Sequence, residues 1–340
     1  MNPPEQVLRI TGWAGDQAGC GWYRLALPLS HLRTLGHQVT LSTRLTREMV
    51  EQTDVLIGQR IHMPHPTQMW QEIRKLSNRP LMVFELDDNL LEIPPTTHPT
   101  IYEVFANPQT QQRTIDNIRA SDLVTTSTVP LAATLTKYHT DVYVLPNCIP
   151  AWLLDWEVPT RDGQVTIGWQ GSDTHDMDWA EITGEIRRFI TRNPQTELHT
   201  MGAKPHNLPR LPPPRHRHSG WTTEITEYYK TVDWDIALAP LRPHLFNQAK
   251  SALRVLEAAA LGIPVVASDY GPYAEFVQHG QTGFLAKRSH QWGSYLGELT
   301  TDPELRDRMG KNAREQARLY TAEANSHRWL ALYRRYLETR

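Results

Sequence analysis

The chain has 340 residues, 35 Lys plus Arg against 37 Asp plus Glu, 15 His and only 2 Cys. At roughly 150 residues per domain this length suggests two domains, and a net charge of −2 rules out a basic field covering the whole protein. Cys20 and Cys148 are too few for a disulfide framework, and no apolar run approaches the ~18 residues of a membrane span. The polar start Met1–Gln6 does not read as a signal peptide, so a cytoplasmic, reducing setting is expected. Neither half is polarised: residues 1–150 hold 12 basic and 14 acidic side chains, the remainder 23 of each.

Short β-rich runs alternate with helical stretches along the chain. The first series predicts strands at 7–11, 38–42, 54–58, 81–86, 122–126 and 141–145. Helices are expected at 24–35, 67–77, 109–120 and 129–138, with Gly36 closing the first. Pro146, Asn147 and Pro150 interrupt the pattern, and 150–164 reads as a linker. A second series predicts strands at 165–169, 196–201, 234–239, 264–268 and 283–286. Its helices fall at 178–192, 223–230, 249–261, 272–279, 289–299 and 302–318, with a final helix over 322–339. Such alternation specifies parallel βα units, hence an α/β chain of two doubly wound, Rossmann-like domains, 1–149 and 165–320, facing a cleft. Ligands in such sheets sit beyond the carboxyl ends of strands, so every loop after a strand is a candidate wall.

The run 246–268, FNQAKSALRVLEAAALGIPVVAS, carries the densest signal. Asn247 is a plausible N-cap for a helix from Ala249 to Leu261, which Gly262 and Pro264 end. Lys250, Arg254 and Glu257 share one face of that helix. A helix N-terminus with two cations suits a diphosphate, and an acceptor-only carboxylate two turns on suits a pair of sugar hydroxyls. The bland alternative is a solvated helix face.

Other groups read as follows. Gly12, Gly15, Gly19 and Gly21 form a glycine-rich loop after the first strand, without the GxGxxG dinucleotide spacing. Tyr23 and Arg24 follow, where Arg24 can meet an anion. Gly171-Ser172-Asp173-Thr174-His175 is a small-residue loop suited to sugar or phosphate contact, with Asp176 and Asp178 as capping residues. Glu85, Asp87 and Asp88 end the strand 81–86; acceptor-side binding, a structural role and, least, a metal are the options. Residues 204–218 hold four Lys/Arg, three His and five Pro with no acid: a stiff connector, or a contact to an anionic acceptor. Its histidines would charge near pH ~6.

The segments DIALAPL, FNQAKSALRVLEAAALGIPVVASD and GPYAEFVQHGQTGFL resemble retaining glycosyltransferases of the GT-B fold, of the family 4 type. Residues 166–178, 121–150 and 19–41 extend the resemblance over nearly the whole chain. It implies transfer from a nucleoside-diphosphate sugar to a hydroxyl acceptor with retention, without metal or other cofactor, and a final helix over 321–340 crossing back to the N-terminal domain. Glu257 matches the second carboxylate of the family's Glu-x7-Glu motif, which grips the donor ribose; the first falls on Ala249. Lys250 and Arg254 would face the diphosphate, and Gly271 and Glu275 match a Gly-x-x-x-Glu turn near the donor. The expected donor side is then Gly19, Gly21, Gly171, Ser172, Asn247, Gln248, Ser251, Glu257, Gly271 and Glu275. Tyr23, Arg24, Asp87 and Asp88 form the acceptor side, with Lys250, Arg254, Asp88 and His175 nearest the chemistry. ELDDN together with FNQAKS resembles compact bacterial and phage members, so the acceptor set includes glycan, lipid and a hydroxymethylated DNA base. A nucleotide-sugar epimerase of the same fold and a non-catalytic nucleotide-sugar or carbohydrate-binding module are the alternatives; Ala249 motivates the second.

Overall fold

The computed structural model describes residues 6–16, 19–96, 99–159, 163–204 and 206–340. Twelve named strands form two wholly parallel six-stranded sheets. The first contains β1 (Arg9–Trp13), β2 (Gln38–Ser42), β3 (Val55–Gln59), β4 (Leu81–Leu86), β5 (Leu123–Thr126) and β6 (Val142–Val144), in the order β2-β1-β3-β4-β5-β6. The second contains β7 (Val165–Gly171), β8 (Thr196–Gly202), β9 (His216–Ser219), β10 (Ile236–Ala239), β11 (Val265–Ser268) and β12 (Gly283–Ala286), in the order β12-β11-β10-β7-β8-β9. Each order reverses direction once, between β1 and β3 and between β7 and β10. Those reversals open a crevice at the carboxyl ends of the strands.

The central strands are apolar on both faces because helices cover both. Val55, Leu56, Leu81, Met82, Val83 and Phe84 have no measurable exposure. The first sheet separates a cluster built on Leu8, Ile10, Leu29 and Leu32 from one built on Trp70, Phe84, Leu131 and Leu135. The second separates Val255, Leu256 and Ala313 from Trp169, Trp179 and Leu296. Helix His327–Glu338 lays Trp329, Leu330, Leu332 and Tyr333 into the Leu8–Leu29 cluster, so the chain crosses back to complete its N-terminal half.

Several boundaries differ from expectation. The first strand starts at Arg9 rather than 7. The helix expected at 24–35 opens as a π-helical turn, Trp22–Ala26, before Leu27–Thr34. The helix expected at 178–192 is two, Asp176–Trp179 and Thr183–Arg192. The final helix breaks at Ser326. β9 was not expected: HRHS is a polar edge strand with no apolar alternation to reveal it.

Candidate active site

The two sets of strand ends face each other across a cleft of about 500 Å3. Its C-terminal wall corrects the expected helix 249–261. Asn247 does not cap it; the segment splits into Leu245–Gln248 and Leu253–Ala260, with residues 249–252 as a kink. Asp178 anchors the first of the two. Its Oδ1 accepts from Asn247 Nδ2 (2.9 Å) and from the Arg242 amide (2.8 Å), tying the first short helix to the β7 loop. Asp178 is therefore a hub rather than a cap, and Asp176 instead accepts from the Asn207 amide at 3.0 Å. The longer helix begins with no side-chain cap at Ala252, so its first-turn N–H groups are free of one. Ser251, Leu253 and Arg254 line the cleft there.

Lys250 and Arg254 both reach the cleft, from the kink and from the helix. Lys250 is mostly buried; its Nζ lies 3.3 Å from Asp88 Oδ1 and 4.5 Å from the Phe246 ring centroid. Arg254 lies against the Trp169 ring at 5.6 Å, and its Nη1 is buried without a hydrogen-bond partner. A Cβ on Gly171 would stand 2.6 Å from the Trp169 ring and 3.0 Å from Arg254 Nη2, so the bare glycine leaves room for both. A buried guanidinium nitrogen in the cleft wall with nothing to donate to is a donor that an arriving anion would satisfy.

Glu257 sits one turn deeper. Its Oε1 accepts from the hydroxyls of Tyr23 and Tyr229 (2.9 Å), and its Oε2 from Gln170 Nε2 at 2.5 Å. Burial pushes its carboxyl up to about 6, against the pull of those hydrogen bonds and Arg254. Tyr23 comes from the π-helical turn of the N-terminal half, so it closes the cleft across the two sheets. His175 is pushed down to about 4 by burial and by Arg254 and Lys250, so it is neutral at physiological pH. Its Nδ1 is 2.6 Å from Asp178 Oδ2, which leaves Nε2 as the acceptor nitrogen.

On the opposite wall Asp87 and Asp88 close around Arg60, at 3.2 Å each, with Asp16 at 3.6 Å. Among the described residues no group of three or more His, Cys, Asp or Glu is placed to hold a metal ion.

The cleft thus gathers Gly19, Tyr23, Asp87, Asp88, Gly171, Ser172, His175, Lys250, Ser251, Arg254 and Glu257. The other expected residues lie elsewhere. Gly21 is buried, where a Cβ would stand 2.0 Å from the Asp16 carbonyl oxygen. Asn247 is spent on Asp178, Gln248 and Glu275 point to solvent, and Gly271 (φ +53°) supplies a left-handed turn outside the cleft wall. Ala249 packs into the N-terminal core beside Leu131, and its carbonyl accepts from Thr128 Oγ1 at 2.7 Å. The position that carries the first carboxylate of the Glu-x7-Glu motif in the resembling family is therefore packed against the N-terminal half here and does not line the cleft. Arg24 meets no anion in the cleft; it is fully buried on Glu85 (2.8 Å). Of the 204–218 cations, Arg215 holds backbone carbonyls of residues 193 and 196, and Arg217 pairs with Glu197 and Asp233. Burial also lowers His216 and His218, so they charge below the ordinary histidine range.

Sequence reasoning missed Gln170, Tyr229 and Arg60. Arg60 was reachable, since it follows β3 and every strand-end loop was a candidate wall. Nothing in the sequence singles out Gln170 or Tyr229.

Residues 212–316 match the family model described as glycosyl transferases group 1. A D-inositol 3-phosphate glycosyltransferase from Corynebacterium glutamicum (strain R) is 34% identical over 113 residues, 33% of this chain and 25% of that protein. An N-acetyl-alpha-D-glucosaminyl L-malate synthase from Bacillus anthracis is 34% identical over 82 residues, 24% of this chain and 22% of that protein. The matches thus span about a quarter of those relatives' length. Solved structures extend the likeness over the whole chain. A glycosyltransferase from Rickettsia africae superposes with a TM-score of 0.66 at 11% identity, covering 99% of this chain and 100% of that one. Anabaena HepE in complex with UDP and glucose gives 0.64 at 12%, covering 96% and 99%. The fold is that of the GT-B glycosyltransferases.

Proposed function

We propose that this chain is a glycosyltransferase that moves a sugar from a nucleoside-diphosphate donor to a hydroxyl acceptor. The carrying observation is the unpartnered Arg254 Nη1 in a cleft that Lys250 and Glu257 also line. The group 1 match over the same helix and the UDP and glucose named with the HepE structure support it. In this reading the C-terminal half, 165–320, holds the donor and the N-terminal half, 1–149, presents the acceptor.

The chemistry is a charge problem. As the bond from the sugar anomeric carbon to the diphosphate oxygen breaks, its electron pair leaves with the diphosphate. Arg254, Lys250 and the uncapped helix start stabilise that charge without reorganising. The acceptor oxygen bonds to the anomeric carbon and its proton passes to the departing diphosphate oxygen. Attack on the face the diphosphate leaves gives retention and uses neither a protein nucleophile nor a metal. Glu257 accepts the ribose hydroxyls, and Trp221 and Tyr228, which line the cleft, give the base an aromatic wall. Cys20 and Cys148 are unpaired, which suits a reducing, cytoplasmic setting, and no helix among the described residues is long and apolar enough to cross a membrane.

The test is thermal-shift binding of UDP, GDP, ADP, CMP and TDP to the wild type and to Glu257→Gln. A ligand at about 100 times its Kd adds ~2.7 kcal/mol of stability. One nucleotide should raise the wild-type midpoint and shift the variant much less; no shift with any of them would remove the donor reading.

The buried carboxyl also sets a pH dependence. A folded-state value raised to about 6 from the usual 4.5 adds stability that is complete below 4.5 and lost as pH rises through about 6. Ribose binding needs the carboxylate, so nucleotide affinity should fall as pH drops through the same window. Stability of the free chain and affinity should therefore move in opposite directions, and Glu257→Gln should flatten both; parallel movement in stability and binding assays would contradict this role.

Tyr23 competes with the ribose for Glu257 Oε1. Tyr23→Phe should tighten nucleotide binding about two- to tenfold, the worth of one ordinary hydrogen bond. Calorimetric titration of the variant reads this directly; unchanged or weaker binding would show that the hydroxyl does not compete.

A further inference from the structure

A second cavity, of about 270 Å3, opens off the cleft inside the N-terminal half. Asp16, Arg60 and Phe105 wall both spaces. It lies at the ends of β1 and β3, the reversal point of the first sheet, and the donor does not use it. Resting on the transferase reading above, we propose that this cavity is the acceptor subsite and that it takes an uncharged polyhydroxylated ring, a sugar or cyclitol, rather than a phosphorylated or carboxylated acceptor.

Gln59 gives the first argument. It lines the cavity, is 1% exposed, and accepts from the Gly15 amide at 3.2 Å through Oε1. Its Nε2 is buried with no partner. A buried amide donor left unpaired is costly, and a hydroxyl oxygen arriving in the cavity satisfies it.

Arg60 gives the second. Among the described residues it is the one non-glycine residue at positive φ (+53°), a strained conformation of the kind that concentrates at functional sites. That backbone turns its guanidinium into the mouth of the cavity, where Asp16, Asp87 and Asp88 surround it. Asp88 also bridges to Lys250. One guanidinium is thus shared among three carboxylates, and Lys250 answers only Asp88. His62, also in the lining, is lowered by burial and by Arg60 and Arg113, so it adds no positive charge at neutral pH. A phosphate or carboxylate entering here competes with three fixed carboxylates for one guanidinium; a hydroxyl donates to them. Trp13, its ring nitrogen tied to the Thr43 carbonyl (3.2 Å), and Phe105 offer apolar surface for the C–H face of a ring.

Saturation-transfer NMR on the intact chain, in parallel samples with UDP, GDP, ADP, CMP or TDP present, tests this. The neutral probes are methyl α-D-glucopyranoside, methyl α-D-mannopyranoside and myo-inositol. The anionic ones are glucose 6-phosphate, mannose 6-phosphate, an inositol monophosphate and L-malate. At least one neutral ring should bind, and more than about tenfold tighter than its anionic counterpart, as like-charge contact demands. Gln59→Met, which keeps the length and loses the amide, should weaken that ring about three- to tenfold. Asp87→Asn, which relieves the charge at the mouth, should raise affinity for the anionic probes. An anionic probe binding as tightly as its neutral parent, binding indifferent to both substitutions, or no neutral ring binding at all would overturn the assignment. The nucleotides' own signals read the donor side in the same samples: all five silent sinks the transferase reading, whereas a bound nucleotide with no bound ring sinks the acceptor assignment alone.

Discussion

Arg24→Ala should destabilise the chain by about 3–5 kcal/mol, the usual result of leaving one partner of a buried ion pair behind. The side chain is wholly buried and its Nε donates to Glu85 Oε1 at 2.8 Å. Its Nη1 donates to the Leu145 carbonyl (2.7 Å) and to Asn147 Oδ1 (2.9 Å). Glu85 is equally buried and otherwise accepts only from Thr125 Oγ1 among its side-chain partners. Removing the guanidinium orphans a carboxylate, a carbonyl and an amide together. Domains are stable by roughly 5–15 kcal/mol, so this single change consumes much of the margin. Burial already raises Glu85, and Arg24 is the chief opposing influence. Without it Glu85 rises further and takes a proton. Its contribution then favours the fold below the unfolded carboxyl range and is lost as pH rises through the folded value. The deficit in urea unfolding should therefore be smaller at pH 5 than at pH 8, and Arg24→Met with Glu85→Gln should recover part of it. A loss under about 1 kcal/mol at neutral pH would place Arg24 in solvent and restore it as an anion contact.

Lys250→Ala should lower turnover of the donor about ten- to a hundredfold, with little loss of stability. A charge-assisted hydrogen bond is worth roughly 1.5–3 kcal/mol, and the ammonium is asked to hold a leaving group whose charge grows in the transition state. In the free chain it neutralises Asp88 and stacks on Phe246. Asp88 keeps Arg60 when the lysine is gone, so no carboxylate is stranded and the fold survives. The discriminating reading is the kinetic split: kcat should fall more than KM rises, because the interaction strengthens as the bond breaks. Unchanged donor kinetics would remove Lys250 from the reaction and leave Arg254 as the phosphate cation.

The sheets were legible because a strand buried on both faces must be apolar throughout. VLIG satisfies that, and LMVFEL does at every position but Glu85, with helices between them, whereas HRHS at an exposed edge meets no such demand. The cleft was half legible. Lys250, Arg254 and Glu257 have the right spacing, but the spacing assumed one helix, and the break after residue 248 is held by residues far away in sequence: Asp178 on Asn247, Thr128 on Ala249 and Asn147 on Ser251. Arg24 was misplaced because a cation at a helix start reads the same whether its anion is a ligand or Glu85. Gln170 and Tyr229 were invisible because their meaning comes from Glu257, 87 and 28 residues away.

The crossing helix has a temporal consequence. Trp329, Leu330, Leu332 and Tyr333 form part of the same core as Leu8, Ile10 and Leu29. At synthesis rates of about 5–20 residues per second, the first sheet waits on the order of ten to forty seconds after its own strands emerge before that core can close. Its apolar face stands open on the ribosome while the second sheet is made.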